Sequence, residues 1–216
     1  MSEIILISLL AGILSLDITA FGQFMISRPI VSASLVGYML GNVYAGLWIG
    51  MTVELIWIAA LPMGASIPLD ITAVSILAVA CGLKVQPFDK AAIILALALA
   101  LGAAVLFKKA DIFVRYLNVK IMRWIEVGVN EGKENRIRIG ICTGLLLFFL
   151  KAFVLYLVLI YPGQEIVKFV YSNLNEKILT GLRTAWLLLP VLGMGFMLVS
   201  FRNGKFPCNK FENSGR

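Results

Sequence analysis

The stretch LPMGASIPLD, residues 61–70, decides the fold, because Pro62, Gly64 and Pro68 break a long apolar region there. Proline has no backbone N–H and cannot continue an α-helix, so this stretch leaves polar backbone groups without helical partners. Inside a membrane, such groups are tolerated only where protein or water covers them. The stretch therefore predicts a broken or re-entrant segment over residues 62–70, of the kind that places polar groups around a transported substrate.

The chain as a whole is strongly apolar. Its 216 residues are 60% hydrophobic and only 14% charged, and the mean hydropathy is +0.93. Soluble domains carry about 25% charged residues. We predict an all-α, polytopic integral membrane protein with one transmembrane domain over residues 1–201 and a short polar tail over residues 202–216.

The net charge of +7 does not indicate a nucleic-acid partner, because the basic residues lie beside apolar segments instead of on a polar surface. Residues 108–138 hold Lys108, Lys109, Arg115, Lys120, Arg123, Lys133, Arg136 and Arg138. This excess of basic residues predicts a cytoplasmic loop. The apolar residues of the loop recur at helical spacing. We expect an amphipathic helix lying along the cytoplasmic interface, although packing against a partner protein has the same periodicity.

Several apolar runs are long enough to cross the bilayer. Residues 91–107, 139–161 and 184–201 are predicted spans, and residues 29–53 form another uncharged segment of spanning length. Glycines at positions 37, 41, 46 and 50 favour close packing of that segment against a neighbouring helix.

Lone ionisable residues mark the functional region. Asp17, Arg28, Glu54 and Asp70 are isolated in apolar sequence. A charge at the centre of a spanning helix costs roughly 2.5–3.5 kcal/mol, so it persists where it faces protein, water or substrate. Residues 17–28 are a second predicted re-entrant segment. Lys151 is also isolated, and the sequence does not choose between snorkelling, pairing and lining a cavity.

Several kinds of chemistry are excluded or disfavoured. The chain has no histidine, which excludes a Ser–His dyad and an H-E-x-x-H metal site. Its three cysteines, at positions 81, 142 and 208, lack metal-type spacing, so we expect no zinc site, other metal or cofactor. An aspartyl pair of Asp17 and Asp70 in an intramembrane hydrolase stays open as a minor alternative.

The order of motifs carries more information than any one of them. Asp17 is followed by Gly22 to Pro29 (GQFMISRP), then by Gly50 to Leu55 (GMTVEL), and then by Gly64, Pro68 and Asp70. From about residue 8 to about residue 84, this order resembles the enzyme IIC membrane subunit of the mannose/fructose/sorbose family of the bacterial phosphotransferase system (PTS).

This resemblance implies a multi-pass subunit of the bacterial inner (cytoplasmic) membrane that carries a hexose or amino sugar across while partner IIB phosphorylates it. It implies that the chain is a transport subunit and not itself an enzyme. The implied partners are the membrane subunit IID, the phosphocarriers IIB and IIA, the sugar and the lipid bilayer, and an oligomer is expected.

A sugar offers many hydroxyl groups, which carboxylates and carboxamides bind well. By the family's motif positions, we expect Gln23, Asp70 and the break at residues 62–68 to line the sugar path. Glu54 would contact or brace the path, and Ser66 is a further candidate contact. Asp17 and Arg28 are either a structural ion pair or part of the site.

Two other functions remain open from the residues alone. A membrane scaffold that transports nothing has the same composition. A proton-coupled secondary carrier also uses lone carboxylates within its helices.

Overall fold

The computed structural model describes residues 2–19, 22, 24–58, 69–85, 89–131, 133 and 135–202. These residues form helices α1 (Ser2–Thr19), α2 (Pro29–Met39), α3 (Val43–Trp57), α4 (Ile71–Gly82), α5 (Lys90–Asn130), α6 (Asn135–Asn173) and α7 (Glu176–Arg202). The described residues contain no strand. The predicted all-α membrane architecture is therefore confirmed.

Three of the helices are long and apolar enough to cross a membrane. They are Lys90–Asn130, Asn135–Asn173 and the part of α7 from Glu176 to Val199. The full helices α5, α6 and α7 contain the predicted spans at residues 91–107, 139–161 and 184–201, although α6 continues through Pro162 to Asn173. At about 1.5 Å per residue, α5 and α6 are each about 60 Å long, which is twice the thickness of the hydrocarbon core.

Helices α5 and α6 form one antiparallel hairpin. Contacts between them run from Gly128, which lies against Arg136, to Phe107, whose ring centroid is 4.8 Å from that of Tyr156. The amphipathic segment within residues 108–138 is helical, as expected. It is not a separate interfacial helix, however, because it continues α5 without a break and packs along α6.

The uncharged segment at residues 29–53 is not one span, and this corrects the sequence interpretation. It is divided at Leu40–Asn42 into the short helices α2 and α3, which return antiparallel to each other. Gly41 has a φ of +80°, which favours glycine, and the Asn42 side chain accepts a hydrogen bond from the Ala45 amide at 3.0 Å. Neither helix is long enough to cross the bilayer, so the pair is a re-entrant hairpin.

Small residues bring α2 and α3 close together, as the glycine pattern predicts. A Cβ atom built on Gly46 would lie 2.3 Å from the carbonyl oxygen of Ala33, and one on Gly50 would lie 2.4 Å from that of Pro29. These positions exclude any side chain without movement of the backbone.

Helix α4 is the centre of the domain. Every residue from Thr72 to Gly82 is buried, and the helix packs against α2, α3, α5 and α6. With 12 residues it is about 18 Å long, so it begins and ends within the protein. The structure around α4 therefore has to satisfy both of its ends.

A charged cluster joins α5 to α6 and α7 at the end of the bundle opposite the α5–α6 connection. Arg183 donates to both carboxylate oxygens of Asp89, with an Nη2–Oδ2 distance of 2.6 Å, and the Tyr171 hydroxyl donates to Oδ2 at 2.7 Å. Asp89 also caps α5 by accepting from the Ala91 amide. The hydrogen bonds from Arg183 are the main cause that lowers the pKa of Asp89 to about 2.

We expect Gly46→Ala to destabilise the domain by about 1–3 kcal/mol, because its methyl group must displace the backbone of α2. Thermal unfolding in detergent measures this loss. Gly102→Ala on α5 is the matched control, since a Cβ there meets nothing within 4 Å. Equal stability of the two variants would contradict the close packing of α2 on α3.

We expect Asp89→Asn to lower the free energy of unfolding by about 1 kcal/mol at pH 7, a small value because the Arg183 side chain is 41% exposed. Asparagine keeps the helix cap but loses the ion pair.

The folded-state pKa of Asp89 is about 2, below an unfolded value of about 3.9, so its contribution is present above about pH 5. It is lost as the pH falls towards 2. Unfolding of wild type and Asp89→Asn should therefore differ at pH 7 and converge near pH 2, and a constant difference would contradict this role.

Candidate functional site

Three helix ends meet at one level of the domain: the last turn of α1 and the first turns of α2 and α4. The Thr72 hydroxyl at the start of α4 donates to the Ser27 carbonyl oxygen at 2.7 Å. One turn further along, the Ser32 and Ser75 hydroxyls are 3.3 Å apart. Helices α2 and α4 therefore begin side by side and run in the same direction.

Asp17 organises the turn between α1 and α2. Its carboxylate accepts hydrogen bonds from the amides of Phe24, at 2.6 Å, and Ser27, at 3.1 Å, and from the Ser27 hydroxyl at 3.0 Å. Met25 in this turn has a φ of 64°, which is unusual for a residue other than glycine. The buried carboxylate holds a strained backbone whose amides have no helical partners.

Arg28 pairs with Glu54, and this corrects the hypothesis of an ion pair between Asp17 and Arg28. The Arg28 Nη1 atom lies 3.0 Å from Oε1 of Glu54 on α3, while the described donors to Asp17 come from its own turn. The antiparallel return of α3 explains this, because it brings Glu54 beside the start of α2. Oε2 of Glu54 is buried and has no hydrogen-bond partner among the described residues.

Asp70 lies at the start of the buried helix α4. Its Oδ1 atom accepts from the Ala73 amide at 3.0 Å, so the side chain caps the helix. The carboxyl group also interacts electrostatically with Lys151 and Asp111 on the α5–α6 hairpin. Asp70 therefore connects the short helices to the long ones.

The structure pairs Lys151 with Asp111. Lys151 Nζ lies 2.6 Å from Asp111 Oδ1, and the two side chains are only 10% and 19% exposed. The sequence marks Lys151 as isolated but does not identify its partner, which lies 40 positions earlier in the chain. The isolation of Lys151 in apolar sequence was the signal that an acid must lie nearby.

Two predicted site residues, Gln23 and Ser66, lie outside the described residues, as does the break at residues 62–68. Of the other predicted residues, the structure brings Arg28, Glu54 and Asp70 to the level where α1 ends and α2 and α4 begin. Asp17 lies there as well, bonded within its turn. We call Asp17, Arg28, Glu54 and Asp70 the polar cluster.

The polar cluster offers groups that suit a ligand with many hydroxyls. Carboxylates accept hydrogen bonds from hydroxyls, and a guanidinium donates several. Among the described residues, no group of His, Cys, Asp or Glu is placed to hold a metal ion. The donors and acceptors of the cluster can bind a polar molecule through hydrogen bonds.

We expect Asp17→Asn to reduce the amount of folded protein and to lower its unfolding temperature. Asparagine replaces one acceptor oxygen with an NH₂ group, which would face the donors of Phe24 and Ser27. Leaving a buried amide unpaired costs about 1–3 kcal/mol. Size-exclusion chromatography and thermal unfolding measure the effect, and Ser172→Ala at an exposed position of α6 is the control. Wild-type stability of Asp17→Asn would contradict the structural role.

The chain is similar to known IIC components of the PTS. The model of a family described as the sorbose-specific IIC component of the PTS matches residues 1–206. The mannose-specific EIIC component of the PTS of Escherichia coli (strain K12) is 25% identical over 203 residues, which cover 94% of this chain and 74% of that protein. The protein of the same description from Shigella flexneri has the same identity and coverage.

Solved structures share the fold. One, described as a membrane protein, has a TM-score of 0.74 and 22% identity over 93% of this chain and 80% of its own. Another is the mannose transporter ManYZ in complex with microcin E492, with a TM-score of 0.63 and 23% identity over 93% of this chain and 79% of its own.

Proposed function

Since the chain belongs to the family of sorbose-specific IIC components and is a sugar-transport membrane subunit of a PTS, we propose that it binds a hexose or amino sugar at the polar cluster. The observation that carries this proposal is that the Arg28–Glu54 pair and Asp70 lie at the starts of α2 and α4, which the hydrogen bond from Thr72 to Ser27 holds side by side inside an apolar domain. Structural needs account for only part of this charge, since Glu54 keeps a buried oxygen without a described partner.

In the proposed site, Asp70 and Glu54 accept hydrogen bonds from sugar hydroxyls, and Arg28 orients Glu54. Gln23 and Ser66 are proposed as further sugar contacts, because they lie in the segments that lead into α2 and α4. Asp17 has a structural role, since its carboxylate is occupied by the turn that it holds.

The proposed reaction couples transport to phosphorylation on a partner. This chain has no histidine, so it cannot serve as a histidine phosphocarrier. We place the phosphoryl transfer on IIB, which receives its phosphoryl group from IIA, and we place the chain beside IID in an oligomer of the bacterial inner membrane. This chain then supplies the sugar path, without an enzymatic step or cofactor of its own.

The lengths of the helices suggest how the path opens. The long helices α5, α6 and α7 would form a frame across the bilayer. The shorter α2, α3 and α4 hold the polar cluster and would move against the frame in alternating access. The electrostatic interaction between Asp70 and the Lys151–Asp111 pair crosses the border of these two parts.

We expect Asp70→Asn to reduce sugar uptake by at least about tenfold, because a bond between a charged group and a hydroxyl contributes about 1.5–3 kcal/mol. Asparagine still caps helices, so α4 should keep its fold. Uptake of radiolabelled sugar by cells that carry IIA, IIB and IID measures the effect. Glu165→Gln at the exposed Lys168 pair is the control and should transport normally.

Gln23→Ala should also reduce uptake while the protein still inserts. Wild-type uptake in both Asp70→Asn and Gln23→Ala would remove these residues from the site. If a protonophore abolished uptake and loss of the phosphocarrier did not, the coupling to phosphorylation would be wrong.

A further inference from the structure

The hydroxyl group of Tyr156 is the strongest unexplained polar feature of the α5–α6 hairpin. Tyr156 is 0% exposed, and its oxygen has no hydrogen-bond partner among the described residues. Its ring packs against Phe107, with a centroid distance of 4.8 Å and an interplanar angle of 53°. The ring therefore has an apolar packing role, which the hydroxyl does not serve.

A phenylalanine would fill this position with less penalty. A buried polar group without a partner is destabilising, whereas an apolar group of the same shape can be neutral or stabilising. Ser15 on α1 lies near the Tyr156 oxygen, but the two hydroxyls do not reach hydrogen-bond geometry, and the serine hydroxyl donates to the Ala11 carbonyl at 2.9 Å. The structure of the described residues thus gives no reason for tyrosine instead of phenylalanine.

Asp70 provides a reason for tyrosine instead of phenylalanine at position 156. Its carboxyl group interacts electrostatically with the Tyr156 hydroxyl across the border between α4 and α6. A phenol is a hydrogen-bond donor, and an aspartate carboxylate is an acceptor with room for several donors. The two groups therefore complement each other as donor and acceptor.

We propose that Tyr156 is a positioning residue for the sugar site, whose hydroxyl donates to the Asp70 carboxylate when sugar is bound. This inference rests on the proposed sugar-binding role of Asp70. The bond fixes the carboxylate towards the sugar, and it forms only after the short helices have moved against the α5–α6 frame. The hydroxyl then recovers in the sugar-bound state the hydrogen bond that it lacks here.

The test uses Tyr156→Phe in the full chain purified together with its IID partner. Tyr161→Phe, one and a half turns further along α6, is the matched control, because Tyr161 is 58% exposed. The probe is the sugar among mannose, fructose, sorbose and glucosamine that wild type binds most tightly. Binding is measured by equilibrium dialysis, and thermal unfolding is measured on the same samples without sugar.

We expect Tyr156→Phe to raise the Kd about 3- to 10-fold, as for one lost hydrogen bond, with an unchanged or higher unfolding temperature. Tyr161→Phe should change neither quantity. In the background of Asp70→Asn, adding Tyr156→Phe should raise the Kd no further, because the two residues act as one unit.

An unchanged Kd in Tyr156→Phe would overturn the proposal, whatever happens to stability. A lower unfolding temperature with an unchanged Kd would show that the hydroxyl binds a structural partner in the segments outside the described residues. A wild-type Kd in Asp70→Asn would instead overturn the sugar site itself, so the two failures are distinguishable.

Discussion

Backbone groups freed where helices stop inside an apolar domain must find partners within the protein, and the rest of this structure depends on that constraint. Asp17 meets it for the turn between α1 and α2, Asn42 for the start of α3 and Asp70 for the start of α4. Side chains with acceptor oxygens are therefore placed deep in the domain for structural reasons. We propose that Asp70 serves both fold and function, because its carboxylate caps α4 and would also accept hydrogen bonds from a polar substrate.

The sequence identified the residues of the polar cluster as isolated charges, but it did not identify their partners. Each lone charge marks a point where a charge needs a partner, and this led to the polar cluster and to Lys151. The partners themselves are distant in the sequence: Arg28 pairs with Glu54, and Lys151 with Asp111, 40 positions away. Periodicity and spacing describe neighbours along one helix, and they contain no information on which helices pack together.

The helix boundaries show the same difference between what local sequence predicts and what depends on tertiary packing. The helical nature of residues 108–130 followed from their apolar period, but the period cannot show that the helix continues from the preceding span. The break at Leu40–Asn42 went unpredicted because the region contains neither charge nor proline, only Gly41 followed by a capping asparagine. Its cause is tertiary, since close contact of α2 with α3 through Gly46 and Gly50 favours two short helices over one long helix.

The central claim is that the polar cluster binds sugar, and a cryo-electron microscopy structure of the chain with IID and bound sugar tests it most directly. We expect sugar hydroxyls at about 2.6–3.2 Å from carboxylate oxygens of Asp70 and Glu54, with Tyr156 donating to Asp70. Sugar bound at a different level of the bundle, with Glu54 and Asp70 making only the contacts to Arg28 and the α4 backbone described above, would contradict it.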